Sequence, residues 1–359
     1  MDALCNSENL KSISISRNGC GGIPSCHAFG RILATHALTS LMLCGMNTPI
    51  LDEQGPLIVQ GIRFCRSLCV LDLSANLIGD TTMFEFEKAC LDHPKLRFVN
   101  FEGNLITEQG SYSLSKVSRQ FQSLNVSHNK IGAVGVAALL ASLGQRNCRL
   151  ESLYLQRNRL EDSNAGGGEG PKGIALNTTL RNLNLSFMNM IDANSLGAGL
   201  IMNKFLVEID LSQNELEDDA VEFMTGIASN RSIEFIDFSF NRIGTRGALW
   251  ILKGLAEKLR SQSQKLIQVR LLKNFYDPNL EGIISDMNNK HLSAAIRIKR
   301  CAQYFVRIKI IFLIVDRMFR AESAINGFEK GQIAKWKAMD THLFEMQVLL
   351  AYGDQLFAS

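Results

Sequence analysis

Three observations predict an α/β solenoid with parallel strands. One phrase, L-x-x-L-x-L-x-x-N-x-I/L, recurs along most of the chain. Its copies begin at 10, 38, 68, 96, 121, 150, 180, 206, 233 and 266, in steps of 25 to 33. The residues between copies carry helical periodicity. Self-similarity at a fixed period marks a solenoid, in which one unit cannot bury its apolar face alone and must stack on its neighbours.

Six copies are complete. They are Leu68, Leu71, Leu73, Asn76 and Ile78; Leu96, Val99, Phe101, Asn104 and Ile106; Phe121, Leu124, Val126, Asn129 and Ile131; Leu150, Leu153, Leu155, Asn158 and Leu160; Leu206, Ile209, Leu211, Asn214 and Leu216; and Ile233, Ile236, Phe238, Asn241 and Ile243. Four are weaker. Leu10, Ile13, Ile15 and Asn18 open the series, and Leu266, Val269, Leu271 and Asn274 close it. Leu38, Leu41 and Leu43 are followed by Met46 where Asn belongs, and Leu180, Leu183 and Leu185 by Met188. The Leu positions point into a shared core. The Asn turns the chain out of the strand and bonds backbone groups that the turn leaves unpaired. Met cannot do this, so irregularities are expected at 46 and 188, bridged by Asn47 and Asn189.

Between copies, Val136 to Leu143 is apolar and rich in Ala and Leu, good helix formers. Asp219 to Ile227 and Gly247 to Leu259 have apolar residues at helical spacing. Steps near 28 leave room for a full helix after each strand, which shorter repeats lack. Over roughly residues 10 to 275 the chain therefore resembles the ribonuclease-inhibitor-type leucine-rich-repeat proteins. The resemblance implies a curved horseshoe, parallel strands inside and helices outside.

The expected domains are the repeat array, 1–275, and a C-terminal helical cap, 276–359. In the latter, Ala294, Ile298, Cys301, Phe305, Ile308, Phe312, Val315 and Phe319 are spaced alternately four and three apart, a helical seam. Asn326-Gly327 reads as a turn, and Gln332 to Ala351 as a second helix. The first helix is basic, with Arg297, Lys299, Arg300, Arg307 and Lys309. Such a helix suits calmodulin, an acidic protein surface or lipid headgroups; its plainer reading is a solvated face on a cap that a terminal repeat requires. The turn lacks the oxygen ligands of a calcium loop.

The remaining features bound the function. The net charge of +3 implies no nucleic-acid or membrane partner. The longest apolar run, Ile308 to Val315, is too short to span a bilayer, and the polar start shows no secretory signal. Nine cysteines at irregular spacing read as reduced thiols of a cytoplasmic protein rather than a disulfide framework or zinc site. Ala165 to Gly173 is Gly-rich, but Pro171 parts Gly170 from Lys172 and no Ser or Thr follows, so it reads as a surface loop rather than a phosphate cradle. None of the six histidines sits in a nucleophile or metal motif. No enzyme and no cofactor are expected.

Strand side chains alternate, so the residues flanking the central Leu face the concave side. There the candidate partner-binding residues are the aromatic anchors Phe98, Tyr154 and Phe235 and the acids Glu208, Asp210 and Asp237, fitting a partner with a basic segment. Arg300 and Arg307 are the candidates for an acidic partner at the C-terminal helix. The expected function is a protein–protein interaction scaffold, or a structural subunit of a ciliary or flagellar axoneme. A GTPase-activating protein of the Ran type would carry an acidic tail, which Asp354 to Ser359 lacks. An innate-immune receptor would need a nucleotide-binding domain before the repeats, for which Met1 to Asn9 leave no room.

Overall fold

Ten short strands lie side by side in chain order, every neighbour pair parallel. The computed structural model describes residues 9–158, 160, 170–191, 193–221, 230, 232–260, 268–288 and 297. The strands are Ser12–Ser16 (β1), Ser40–Cys44 (β2), Val70–Asp72 (β3), Phe98–Asn100 (β4), Ser123–Asn125 (β5), Ser152–Tyr154 (β6), Asn182–Asn184 (β7), Glu208–Asp210 (β8), Phe235–Asp237 (β9) and Gln268–Arg270 (β10). The helices described are Ile23–Thr35 (α1), Gly55–Ile62 (α2), Asp80–Cys90 (α3), Glu108–Val117 (α4), Gly132–Ser142 (α5), Gly170–Leu176 (α6), Asn194–Met202 (α7), Thr245–Arg260 (α8) and Glu281–Asn288 (α9). Strands pack about 4.8 Å apart and helices about 8–10 Å apart, so stacking one of each per repeat bends the sheet to the inside of the curve.

Register follows the repeated phrase. The central apolar residues pair in one line, from Ile13↔Leu41 and Leu71↔Val99 to Ile236↔Val269. Leu71, Leu124, Leu153, Leu185 and Leu211 are at most 1% exposed. A single continuous core runs beneath them. Phe86 of α3 fills its middle, edge-on to Phe101 at 5.0 Å between centroids and 6.1 Å from Phe121.

The turn after each strand has a fixed backbone cost. In all ten repeats the residue before the Asn position has positive φ: Arg17, Gly45, Ala75, Gly103, His128, Arg157, Phe187, Gln213, Phe240 and Lys273, between 52° and 66°. Only two are glycine, the residue to which this conformation is cheap. The Asn side chains hold the turn. Asn104 donates to the carbonyls of Leu73 and Phe101 and accepts from the Ile78 N–H at 3.0 Å. Asn129 donates to Phe101 and Val126 and accepts from Ile106. Each such carbonyl thus receives one donor from its own repeat and one from the next.

That redundancy explains how Met46 and Met188 are tolerated, and it corrects the expected bridging by Asn47 and Asn189. The Leu43 carbonyl keeps the Asn76 amide, and the Leu185 carbonyl keeps Asn214. The Leu160 N–H turns to the Met188 backbone carbonyl at 2.8 Å. The Asn214 oxygen accepts both the Met188 and Met190 N–H groups. Asn47 contributes its backbone N–H, to the Asn18 carbonyl.

A second ladder, on the helix-to-strand turns, lies three residues before the first Leu of the phrase. Asn177, Asn203 and Asn230 each donate back to the preceding repeat and accept two N–H groups of their own turn. Lys258 of α8, itself buried, donates to the carbonyls of Asn230 and Ile233. His93 takes the same position three repeats before Asn177. Its Nδ1 accepts the Leu96 N–H at 3.0 Å, so Nε2 carries the proton given to the Cys65 carbonyl at 2.9 Å. Burial, helped by Arg66 and Arg97 and opposed by the Cys65 hydrogen bond, pushes its pKa below the ordinary histidine value. Protonation would also set a donor against the Leu96 N–H. A depressed folded-state pKa means stability is complete above about 6.5, the unfolded value, and is lost as pH falls from there through the folded pKa. His93→Asn supplies the ladder's usual residue and should flatten this loss in urea denaturation from pH 7 to 5. An unchanged pH slope would place its origin elsewhere.

Helix starts are tied across repeats by carboxylates. Asp52 accepts the N–H groups of Gly79, Thr81 and Thr82 at the start of α3. Burial raises its pKa, but these hydrogen bonds together outweigh it and leave the net shift downward. Asp80 does the same for α4, and Asp218 for α8.

Two expectations are corrected, and a third is tested only at its start. Gly170 to Gly173, read as surface loop, opens helix α6, where a Cβ on Gly173 would overlap the Leu140 carbonyl; the glycine permits close packing of α6 on α5. Residues 165–169 lie outside the described set. The start of the Asp219 to Ile227 stretch is a 3₁₀ turn, Asp218–Val221, and 222–229 lie outside. Arg297, read with the basic face, is 1% exposed and donates to the Met287 carbonyl at 2.8 Å. The seam to Phe319 and the second C-terminal helix lie outside the described residues. Within them, α9 and the 3₁₀ turn before it, Pro278–Leu280, cover the last strand: Leu280, Ile284 and Met287 join the core. The Asn288 amide mimics a neighbouring strand, accepting the Val269 N–H and donating to its carbonyl.

Candidate partner-binding face

The sheet face is built by register. β8 places Glu208 and Asp210 on one side, and β9 sets Phe235 beside Glu208 and Asp237 beside Asp210. Four of the candidate residues therefore form one compact patch. Tyr154 is two strands away on β6, about 10 Å, and Phe98 lies on β4, about 19 Å away at the usual strand spacing. Phe98 is 44% exposed, whereas Tyr154 and Phe235 are half-buried. Arg300 and Arg307 lie outside the described residues.

The carboxylates differ in what holds them. Asp210 accepts the Ser212 N–H at 2.9 Å and the Asn184 amide at 3.2 Å. Asp237 accepts the Ser239 N–H at 2.8 Å and faces Arg270 at 3.6 Å. The Arg270 guanidinium also lies over the Phe235 ring, 4.9 Å from its centroid. Glu208 is exposed. The patch is thus a fixed pair of acids beside a free-standing one, floored by an aromatic ring and bordered by one cation.

The turn-capping role of this row was not anticipated from the sequence. Asp72, Asn100, Asn125, Asn184, Asp210 and Asp237 each accept the N–H two residues on, with Asn100 also bonded to Asp72 and Asn125 to Glu102. The signal was present: an Asx recurs at one position of the phrase, the residue type that bonds its own backbone two residues later.

Among the described residues there is no cluster of His, Cys, Asp or Glu able to hold a metal ion, and no helix long and apolar enough to cross a membrane. Cys20, Cys26, Cys44, Cys65, Cys69, Cys90 and Cys148 are free of disulfides. Burial pushes the Cys26 thiol up to about 11 and that of Cys90 well above the usual range, so neither is an activated nucleophile.

The fold and this repeating turn define the class: the chain is a solenoid of leucine-rich repeats, similar to those of the ribonuclease-inhibitor type. The leucine-rich-repeat description matches residues 117–140 and 229–251. Mus musculus ribonuclease inhibitor is 38% identical over 95 residues, 25% of this chain and 21% of that protein. NACHT, LRR and PYD domains-containing protein 12 of Mus musculus is 23% identical over 304 residues, covering 74% of this chain but 25% of the relative. The chain thus spans a quarter of that relative's length. Among solved structures, an internalin of Listeria monocytogenes aligns with TM-score 0.43 at 15% identity, over 72% of this chain and 74% of that one.

Proposed function

We propose that this chain is a non-enzymatic interaction scaffold whose sheet face binds a protein partner carrying a basic segment. The observation that carries the reading is the patch on β8 and β9, where Glu208, Asp210 and Asp237 surround Phe235. Asp210, held by the Ser212 N–H and the Asn184 amide, can receive a guanidinium or ammonium group without reorganising, and Arg270 over Phe235 and Asp237 already shows how a cation sits on this ring and carboxylate. Solenoids of this kind present extended concave surfaces for macromolecules. A cytoplasmic or axonemal setting follows the same reading, and the partner's identity decides between them.

The test begins with affinity purification from native cells and mass spectrometry, using wild type and the Tyr154→Ala/Phe235→Ala variant. Both rings are half-buried on the sheet face, not in the core, so melting should change little. Each ring's removal should weaken binding by roughly five- to thirty-fold if it is an anchor. Equal retention of every specific partner by wild type and variant would overturn the assignment.

A further inference from the structure

Beside the acidic sheet face runs a second surface of opposite character. The positive-φ residues before the Asn positions form a line across the repeats, because each one up to Phe240 donates its N–H to a carbonyl of the next repeat, among them Arg157 to Ser186, Phe187 to Ser212 and Phe240 to Leu272, beside Lys273. The ten residues of this line include no acid. Its C-terminal half holds Arg157, Phe187, Phe240 and Lys273. Phe187 is 39% and Phe240 51% exposed, and Leu272 beside them is 56% exposed. The Arg157 guanidinium stacks on the Phe187 ring at 4.2 Å. Phe187 and Phe240 share the positive φ of every turn in this line, but at these two the turn carries a large apolar ring that the core does not take up.

We infer that this rim docks an extended acidic segment of a protein partner, with its apolar side chains on Phe187, Phe240 and Leu272. The carboxylates of such a segment meet Arg157 and Lys273 at the two ends. From Arg157 to Lys273 is four rungs, about 19 Å, the span of about six extended residues. A line one residue wide matches a peptide better than a bilayer surface. The segment would be repelled by the neighbouring sheet face, so this site is independent of the one proposed above.

The experiment measures fluorescence anisotropy of a labelled peptide alternating Glu with Phe and Leu. Its counterpart with Lys for Glu, and phosphatidylserine vesicles, are the comparison probes. The full chain should bind the acidic peptide and not the basic one. Phe187→Gly/Phe240→Gly removes the rings and relieves the turns, so it should melt at higher temperature while losing affinity by about tenfold or more. Lys273→Glu should weaken binding as well. Phe84→Ala, an exposed ring on helix α3, should leave it unchanged. The inference is overturned if the acidic peptide does not bind, if the basic peptide binds equally, if the glycine variant binds as wild type, or if only vesicles respond to these substitutions.

Discussion

Replacing Asn104 and Asn129 together by Ala should destabilise the array by more than the sum of the two single substitutions. Each single change strands one buried N–H, of Ile78 or Ile106, which costs about 1–3 kcal/mol. The Phe101 carbonyl survives either one, because it accepts from both amides, at 3.0 and 2.9 Å. Only the double variant leaves it without either. The coupling energy should therefore be about 1–3 kcal/mol, read from a double-mutant cycle in urea. The natural Met46 and Met188 fit the same logic, since each stands in a repeat whose next repeat has Asn at this position. An additive cycle would mean that turns reroute their bonds more freely than at Met188.

Phe86→Ala should be the most damaging single change in the helical layer, costing about 3–5 kcal/mol. The ring is fully buried, and its partners Phe101 and Phe121 occupy phrase positions that elsewhere are mostly Leu, Ile or Val. Three aromatic rings, from α3, just after β4 and just before β5, thus lock three consecutive repeats. Their positions are fixed by register, so the cavity cannot close by a small shift. Hydrogen exchange should show faster opening of β3 to β5 than of β7 to β9. A loss below about 1 kcal/mol would mean that the neighbours collapse into the space.

The repeated phrase made the strands and their register legible, because its Leu and Asn positions fix which side chains enter the core. The long helix at Gly247 to Leu259 was legible for the same reason. The second ladder was not, because its position holds Asn at 147, 177, 203 and 230 but Ser, Thr, Cys or His in the other repeats, and Lys258 reaches in from a helix. The inter-repeat carboxylates Asp52, Asp80 and Asp218 escaped notice because their partners are backbone groups a whole repeat away. On the candidate face, alternation alone placed Glu208, Asp210, Phe235 and Asp237 together. Composition could not reveal that Arg270 closes over Phe235 and Asp237, since strand order brings it there. Nor could helical periodicity show that Arg297 is buried.

Carboxyl footprinting of Glu208, Asp210 and Asp237 tests the central claim most directly. The chain, alone and in complex with its co-purified partner, is treated with a carbodiimide and an amine, and modification is read by mass spectrometry. Glu208, exposed in the free chain, should react readily alone and be strongly protected in the complex, with Asp210 and Asp237 following. Unchanged labelling of all three, with protection confined to carboxylates of the outer helices such as Glu85 and Glu108, would contradict it.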